Sequence, residues 1–476
     1  MQKQKYKNFI LVGLGFGDEG KGSITDFLVD AYFTKTVIRY NGGSQAAHTV
    51  VTPDKKTHIF SQFGSGTFHK NTKTYLSEQM FIDLYSLLEE EFVLKQKGIK
   101  DALKRIVISP NATLITPYHK MIGQMEEIAR GKNKVGTTGK GVGIAAIDKM
   151  YFPKEAIYIK DLDSKNLLIK LEKQREKFFN RAISILSNTE NKEVEKILLY
   201  FKNKYPLRQV FQFFQEFAKS YQNTIDKGNS FKKRLLAGNE SYLLEGAQGT
   251  LLDLEYGFFP YITKTKTTLE SAKNLFLSKK IESIGILRCY SHRHGKGPLP
   301  TETKILSKKI KEEHNLENHW QGSFRMGWFD LILTRYAVKL NPDLSSIALT
   351  CLDQVSDFPK IKVCVEYIYN GKDSNLLRKF FKTKSENNEI WILDIIPQRH
   401  SLEDRKLLTK LLLECKPSRY LEFTTWKKDL DSLRENKIPK ELQFFLDFLE
   451  SKNGIHLPIS ILSFGKTRKE KMILKT

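Results

Sequence analysis

A glycine-rich segment near the start of the chain carries residue types that bind phosphate. Residues 13–22 read GLGFGDEGKG, so glycines surround Asp18, Glu19 and Lys21. Glycine amides donate to phosphate oxygens, the Lys21 ammonium supplies positive charge, and the Asp18 carboxylate is a ligand type that Mg²⁺ prefers. A GxGxxG dinucleotide pattern is also present, but its acidic pair would repel a pyrophosphate. We interpret the segment as a phosphate loop, with a plain strand-to-helix turn as the alternative.

A second glycine loop ends in an imidazole. Residues 42–49 read GGSQAAHT and place His48 after two glycines and Gln45. Histidine supplies a proton or a hydrogen-bond donor near neutral pH. Taken alone, His48 is more typical of a structural histidine than of a catalyst, so its interpretation depends on the rest of the chain.

Short apolar runs precede both loops and recur along the chain. Residues 8–14 precede the first loop, residues 35–40 precede the second, and helical spacing follows the first loop. Further strands are predicted at residues 105–109, 241–244, 284–290 and 346–350. Strands that alternate with helices predict an α/β fold with a large, mostly parallel, doubly wound sheet and a nucleotide site like that of P-loop NTPases.

One stretch of the chain departs from this alternation. Between residues 164 and 240, Lys, Glu, Phe and Leu recur at helical spacing with few glycines. No internal repeat or low-complexity linker divides the sequence. We therefore predict one domain over residues 1–476 with a helical insertion at 164–240.

Composition narrows the classes of partner. The net charge of +24 attracts polyanions, but the lysines are spread along the chain and no recognised nucleic-acid motif accompanies them. The first apolar run is short and interrupted by glycine, so it predicts neither a signal peptide nor a membrane span. The spacing of His292, His294 and His319 is too unspecific to predict a metal site. We expect a cytoplasmic protein that binds neither nucleic acid nor membrane.

The two glycine loops resemble, in order and separation, the signature loops of the adenylosuccinate synthetase family. Later segments extend the resemblance nearly to the end of the chain. They are GTTGKGVG at 136–143, EGAQGTLLD at 245–253, PYIT at 260–263, RHGKGP at 293–298, GWFD at 327–330, Leu352-Asp353 and Ser463-Phe464-Gly465. Each motif is short, and the series as a whole is specific.

This resemblance implies a two-step reaction on one purine nucleotide. GTP, with Mg²⁺ as cofactor, phosphorylates the 6-oxygen of IMP, and an amine, aspartate in the family, then displaces the phosphate. Asp18 matches the family's base, which also binds Mg²⁺, and His48 matches the residue that stabilises charge between the 6-oxygen and the γ-phosphoryl group. The resemblance also implies a homodimer.

Further nucleotide-binding residues are carried over from the family position by position. Lys21 matches the phosphate-binding lysine, the carbonyl of Ala47 is placed on Mg²⁺, and Asp353 matches the carboxylate that reads the guanine edge. The remaining matches are Gly17, Gly22, Gln45, Thr49, Thr138, Gln248, Thr263, Arg325, Ser463 and Gly465.

Three departures from the family leave alternatives open. Cys351 replaces a lysine beside the guanine, so GTP and ATP both remain candidates. Phe152 stands where the family sends an arginine from the partner subunit to the IMP phosphate, with Lys149 or Lys154 nearby as substitutes.

The third departure is in residues 318–326, where the family has threonines and several arginines and this chain has Arg325 alone, together with Trp320 and Phe324. Arginine forks recognise carboxylates, so their loss disfavours a dicarboxylate amine. A related ligase using another amine or another purine nucleotide, ribose or deoxyribose, and a nucleotide sensor without turnover are the alternatives.

Overall fold

A computed structural model describes residues 7–238, 240–275, 281–312, 320, 322–426 and 430–474 of the chain. The strands in these ranges are β1 (Asn8–Gly13), β2 (Thr36–Arg39), β3 (His48–Val51), β4 (Thr57–Phe60), β5 (Lys73–Leu76), β6 (Phe81–Ile82), β7 (Ile106–Ile108), β8 (Thr113–Leu114), β9 (Tyr242–Glu245), β10 (Ile281–Arg288), β11 (Ser291–His294), β12 (Phe324–Gly327), β13 (Phe329–Asp330), β14 (Ser346–Thr350), β15 (Lys360–Tyr369), β16 (Phe381–Glu386), β17 (Glu389–Ile395), β18 (Cys415–Thr424), β19 (Ile459–Ser463) and β20 (Lys471–Ile473).

The α-helices in the same ranges are α1 (Lys21–Tyr32), α2 (Leu84–Gln96), α3 (Pro117–Ala129), α4 (Val142–Tyr151), α5 (Leu167–Ser187), α6 (Lys192–Lys204), α7 (Leu207–Ser220), α8 (Ser230–Leu236), α9 (Leu269–Lys273), α10 (Lys304–Lys309), α11 (Leu331–Lys339), α12 (Leu352–Val355), α13 (Leu402–Leu413), α14 (Leu430–Arg434) and α15 (Lys440–Glu450). Of these helices, none combines the length and hydropathy that a membrane crossing needs.

A nine-stranded sheet runs through the described part of the chain in the order β20-β19-β14-β10-β1-β9-β2-β5-β7. Its neighbouring strands are parallel except for the edge pair β19 and β20. The sheet contains a strand at each of the six places where the sequence predicts one. The predicted α/β class with a large, mostly parallel sheet is therefore confirmed.

Both faces of the sheet are apolar, as expected for parallel strands covered on each side. Along β1, Phe9 and Leu11 pack into one cluster with Ile24 and Leu28 of α1. The alternate residues of β1, including Ile10, pack into the large cluster on the other face. The alternation places α1, and the loop that precedes it, at a fixed position against β1.

A second, smaller sheet follows the parallel strands in sequence and was not predicted. Its central strand β15 pairs with β13, β17 and β18, and β17 pairs with β16. Its buried side chains join the same apolar cluster as the alternate residues of β1. This sheet includes β13, which follows β11 and β12 in the sequence. Both of those strands contribute to the candidate site.

Four helices, α5 to α8, lie within residues 164–240. Helices α5 and α6 contact α3. Leu171 and Phe178 of α5 and Phe214 of α7 are buried in a cluster that also contains side chains of α2 and α3. The description of this stretch as an insertion in a single domain stays a prediction.

The carboxyl ends of six neighbouring strands meet at one edge of the large sheet. In spatial order these strands are β19, β14, β10, β1, β9 and β2. The loops with the predicted site residues follow directly from these ends, which is where open α/β sheets bind ligands.

Candidate active site

The first glycine loop is organised around Glu19, a residue that the sequence did not single out. The fully buried Glu19 carboxylate accepts from the amides of Gly15 at 3.0 Å and Gly17 at 2.8 Å, and it pairs with the Lys21 ammonium. Glu19 thus engages donors that the sequence assigns to phosphate. Lys21 has three N–H donors, so a phosphate contact requires it to share its charge with Glu19.

Two glycines make room for this ion pair. A Cβ on Gly13 would lie 2.7 Å from the Lys21 nitrogen, and a Cβ on Gly249 would lie 2.3 Å from the carbonyl oxygen of Gly15. Gly249 follows β9, so the segment after β9 packs directly against the first loop. The glycines of these motifs are required by close approach as well as by phosphate binding.

Asp18 lies in the same loop, with a φ of 58°. Burial raises the pKa of its carboxyl, and the nearby His294 and Arg288 side chains oppose that shift. Its Oδ2 is 3.7 Å from His294 Nε2, and its backbone carbonyl accepts from Arg288 Nε at 2.7 Å. A carboxylate whose pKa is raised by burial is a stronger base than an exposed one, which suits proton removal.

The buried Glu245 carboxylate orients the His48 ring through a hydrogen bond with Nδ1. Its Nδ1 lies 2.7 Å from Glu245 Oε1, and Glu245 also accepts from the amide of Ser65 at 3.0 Å. Burial lowers the pKa of His48 to about 4. Burial by itself would raise the pKa of Glu245, but the charge and hydrogen bond of His48, together with Arg39, lower it to about 2.

These pKa values fix the tautomer of His48. An ionised Glu245 only accepts hydrogen bonds, so a neutral His48 carries its proton on Nδ1 and leaves Nε2 as the unprotonated nitrogen. His48 becomes a donor through Nε2 when it takes a second proton, which a neighbouring anion favours.

His48 lies against the start of α1, which directly follows the loop that carries Asp18. Gly22 abuts the second loop so closely that a Cβ there would lie 2.8 Å from His48 Cβ. The Lys21 ammonium opposes the rise in the pKa of Asp18 that burial causes, and it adds to the fall in the pKa of His48 that burial causes. Ala47, with an exposed side chain, and Thr49, in β3, flank His48 in the chain.

Three residues predicted to hold the purine nucleotide gather beside the second loop. A Cβ on Gly42 would lie 3.4 Å from Gln45 Nε2 and 3.6 Å from Gln248 Oε1. Thr265 joins Gln248 to Thr263 through contacts of 3.5 Å and 3.3 Å between side-chain oxygens. Both amide atoms of Gln45 are buried without a hydrogen-bond partner within the described ranges. Buried polar atoms of this kind point to a polar ligand.

Thr138 lies in a separate loop that runs into α4. The Glu127 carboxylate anchors this loop by accepting from the amide of Gly136 at 2.7 Å, and Gln124 Nε2 donates to the carbonyl of Gly139 at 3.1 Å. The Trp320 ring packs 3.1 Å from the position of a Cβ on Gly139. Trp320 thus contacts the predicted phosphate loop; Asn318, His319 and Gln321 beside it in the sequence lie outside the described residues.

The predicted guanine-site residues converge around Lys471. Its ammonium donates to the carbonyl of Gly465 at 3.0 Å, and Lys471 pairs with Ser463 across β19 and β20. Burial raises the pKa of Asp353, and Lys471 opposes that shift. Burial lowers the pKa of Lys471 itself to about 8. Cys351, with a φ of 63°, turns the chain from β14 into α12.

Arg325 is tied to the turn after β11 rather than to either glycine loop. Its guanidinium donates to Glu302 at 2.6 Å and to the carbonyls of Gly295 at 2.8 Å and Gly297 at 2.7 Å. This placement differs from that of Lys21, Gln45 and Gln248, which follow the ends of β1, β2 and β9.

The position of the family's partner-subunit arginine is apolar here. Phe152 is 45% exposed, and the Lys177 ammonium lies 3.6 Å from its ring centroid. Of the two nearby lysines, Lys149 donates to the carbonyl of Glu78 at 3.4 Å, and Lys154 is exposed.

The sequence analysis did not identify the residues that position the predicted site residues. Glu19, Glu245, Arg288 and Lys471 each hold a predicted site residue or its loop. A charged residue at the end of an otherwise apolar strand, as with Glu245 and Arg288, is a signal that points to such positions.

Comparison with known proteins gives a consistent result. The family model described as adenylosuccinate synthetase matches residues 10–391. The adenylosuccinate synthetase of Clostridium beijerinckii is 30% identical over 98% of both chains, and that of Chlorobium chlorochromatii is 32% identical over 97% of this chain and 96% of its own.

Two solved structures share the fold. The fully ligated adenylosuccinate synthetase of Plasmodium falciparum superposes with a TM-score of 0.77 at 23% identity, covering 98% of this chain and 100% of its own. The succinoaminodeoxyadenylate synthetase of cyanophage S-2L, bound to dGMP and dATP, has a TM-score of 0.56 at 15% identity, covering 99% of this chain and 96% of its own.

Proposed function

This chain belongs to the adenylosuccinate synthetase family, a family of C–N ligases of purine biosynthesis, and from that premise we propose that it activates the 6-oxygen of IMP with the γ-phosphoryl group of GTP before an amine displaces the phosphate. The observation that carries the proposal is that His48 lies against the start of α1, directly after the loop that carries Asp18, and that the charge of Lys21 acts on both side chains. Activation of a purine carbonyl needs a base, a charge-stabilising donor and a cation together.

Asp18 removes the proton from N1 of the purine, which drives negative charge onto the 6-oxygen. Its raised pKa supports this role, because a carboxylate destabilised by burial has more to gain from accepting a proton. His294 and Arg288 oppose the shift, which favours the ionised form of the carboxyl that acts as the base.

His48 stabilises the charge that develops between the 6-oxygen and the transferred phosphoryl group. Its Nδ1 stays on Glu245, so the ring is oriented and Nε2 is the nitrogen that faces the reacting oxygens. Before a ligand binds, His48 is neutral near pH 7. When the phosphate dianion binds, His48 takes up a proton and then donates a hydrogen bond from Nε2. Glu245 then balances the imidazolium charge.

The oxygen donors present fit Mg²⁺. The Asp18 side chain is 26% exposed, and its Oδ2 lies 3.7 Å from His294 Nε2. Mg²⁺ prefers a few such hard oxygens together with substrate phosphates and water, and Asp18 and the Ala47 carbonyl would supply them. When bound, the ion neutralises charge on the phosphate oxygens. The Asp353, Ser463 and Gly465 cluster would hold the guanine of GTP, and Gln45, Gln248, Thr263 and Thr138 would hold IMP.

Isotope exchange in the absence of any amine tests the activation step alone. With GTP labelled by ¹⁸O in the β–γ bridge, Mg²⁺ and IMP, reversible transfer to the purine scrambles the label into the β-phosphate. We expect scrambling that depends on IMP in the unaltered chain, and a loss of about 10³-fold in Asp18→Asn with nucleotide affinity within several-fold. GTP binding without scrambling would contradict the proposal and indicate a sensor.

The homodimer and the cytoplasmic location stay predictions from the sequence. Light scattering on the purified chain measures the first directly.

A further inference from the structure

Strands β10, β11 and β12 present a surface beside Asp18 that a second substrate would meet. We define the β10–β12 wall as Arg288, His292, His294, Phe324 and Arg325. It contacts the first glycine loop at three points: Arg288 donates to the Asp18 carbonyl, His292 bonds to the Gly17 carbonyl, and His294 faces the Asp18 carboxylate. An amine that attacks C6 has to approach beside the base, and this wall is what the chain presents there.

The guanidinium groups of this region are already engaged. Arg325 is neutralised by Glu302 and uses its other donors on two backbone carbonyls. Arg288, which is buried, is neutralised by Glu312 at 3.0 Å. A guanidinium that is already paired with a carboxylate, and whose N–H groups already donate hydrogen bonds, contributes little to binding a further carboxylate.

Arg293, next to the wall, is engaged in another way. Its guanidinium is buried and donates to the carbonyls of Lys296 at 2.9 Å, Pro298 at 3.2 Å and Tyr261 at 3.0 Å. It also lies 4.1 Å from the Phe16 ring centroid. Arg293 therefore braces the turn between β11 and α10.

The described part of the segment offers a carboxylate few cations. Residues 322–326 contain Arg325 as their one charged residue. Lys296 in the neighbouring turn is exposed, so its attraction is screened by water.

The centre of the wall is aromatic. The ring of Phe324 stacks on His292 with centroids 5.5 Å apart and meets His294 edge-on at 5.0 Å. The Arg288 guanidinium lies 5.5 Å from the same ring. Phe324 is half-buried, and Nδ1 of His294 is buried without a partner among the described residues. Such a surface suits an apolar or aromatic group with one polar anchor.

We infer that the amine substrate is an amino acid with at most one carboxylate and an uncharged, apolar or aromatic side chain. This inference rests on the proposed function. In the step concerned, the lone pair of the neutral amine forms the C6–N bond, the C6–O bond breaks, and inorganic phosphate leaves with its oxygen. The proton lost by the nitrogen ends on that phosphate, so the purine product and phosphate account for all atoms.

An amine panel tests the inference. The full chain with GTP, Mg²⁺ and IMP is supplied in turn with aspartate, glutamate, alanine, leucine and phenylalanine, and phosphate release and product mass are measured. We expect kcat/KM to be at least about tenfold higher for one of the uncharged amino acids than for aspartate. A higher value for aspartate than for every uncharged amino acid would overturn the inference and leave the proposed function standing.

The β–γ scrambling assay separates the two failures. Scrambling without product from any uncharged amine also overturns the inference, whereas absence of scrambling overturns the proposed function itself. The variant Glu302→Gln releases Arg325 from its carboxylate, and we expect its kcat/KM for aspartate to rise by about tenfold relative to the surface control Glu422→Gln. No rise would show that Arg325 is not withheld from the substrate by Glu302.

Discussion

The loops after β1, β2 and β9 and the β10–β12 wall flank the same Asp18, but they use charge differently. In the loops, glycines bring Lys21 and His48 against single carboxylates, and the amide of Gln45 is buried without a partner. In the wall, guanidinium groups are spent on glutamates and on backbone carbonyls. Both regions pair their basic groups with carboxylates, and the loops in addition hold an amide that has no partner among the described residues.

This difference teaches that residue type alone does not show what a site recognises. Arg288, Arg293 and Arg325 would each suggest anion binding from the sequence, and each is engaged in the structure. Conversely, Gln45 is an uncharged residue whose buried amide lacks partners among the described residues. We therefore predict that the activation chemistry and the choice of amine are separable in this chain, since we assign them to different regions.

Of the variants that test this difference between the two regions, we expect the largest effect from replacing a glycine of the loops by alanine. A Cβ in Gly249→Ala would lie 2.3 Å from the Gly15 carbonyl oxygen and 2.4 Å from Glu19 Oε1, so the first loop has to shift. We expect a loss of about 3 kcal/mol in the free energy of unfolding, measured by urea denaturation, and weaker GTP binding.

The matched control is Gly143→Ala in α4, where the nearest atom is Lys264 Cγ at 3.6 Å. Alanine is the better helix former, so stability should be kept or rise. Equal stability of the two variants would contradict the close packing of Gly249 against the first loop.

Much of the activation region follows from the sequence because its signals are local. Apolar runs fix β1, β2 and β9, and glycines directly after them identify the loops. The pairing of His48 with Glu245 joins residues far apart in the chain, and Glu19 was seen only as part of a motif. The engagement of Arg325 by Glu302 and the second sheet under β13 depend on tertiary packing that spacing does not reveal.

A smaller effect is expected from Asp330, which supports the strands of the wall. Its buried carboxylate accepts from the Tyr367 hydroxyl, with oxygens 2.5 Å and 2.6 Å apart, and from the amide of Leu333 at 3.0 Å. Burial raises the pKa of Asp330 from 3.8 to about 6. Between these values the folded state holds a proton that the unfolded chain has lost, so stability falls as pH rises through this window.

The variant Asp330→Asn removes that titration. We expect the unaltered chain to lose about 2 kcal/mol of unfolding free energy between pH 4 and pH 6 relative to Asp330→Asn, measured by urea denaturation at each pH. Parallel pH profiles for the two proteins would contradict this expectation and show that the pKa of Asp330 is the same in the folded and the unfolded chain.

The most direct measurement is a crystal structure of the chain with IMP, Mg²⁺ and a non-hydrolysable GTP analogue. We predict one purine between the two side chains, with the Asp18 carboxylate about 3 Å from N1 and His48 Nε2 about 3 Å from the 6-oxygen or a γ-phosphate oxygen. A purine bound elsewhere, or one that Asp18 and His48 do not both contact, would contradict it.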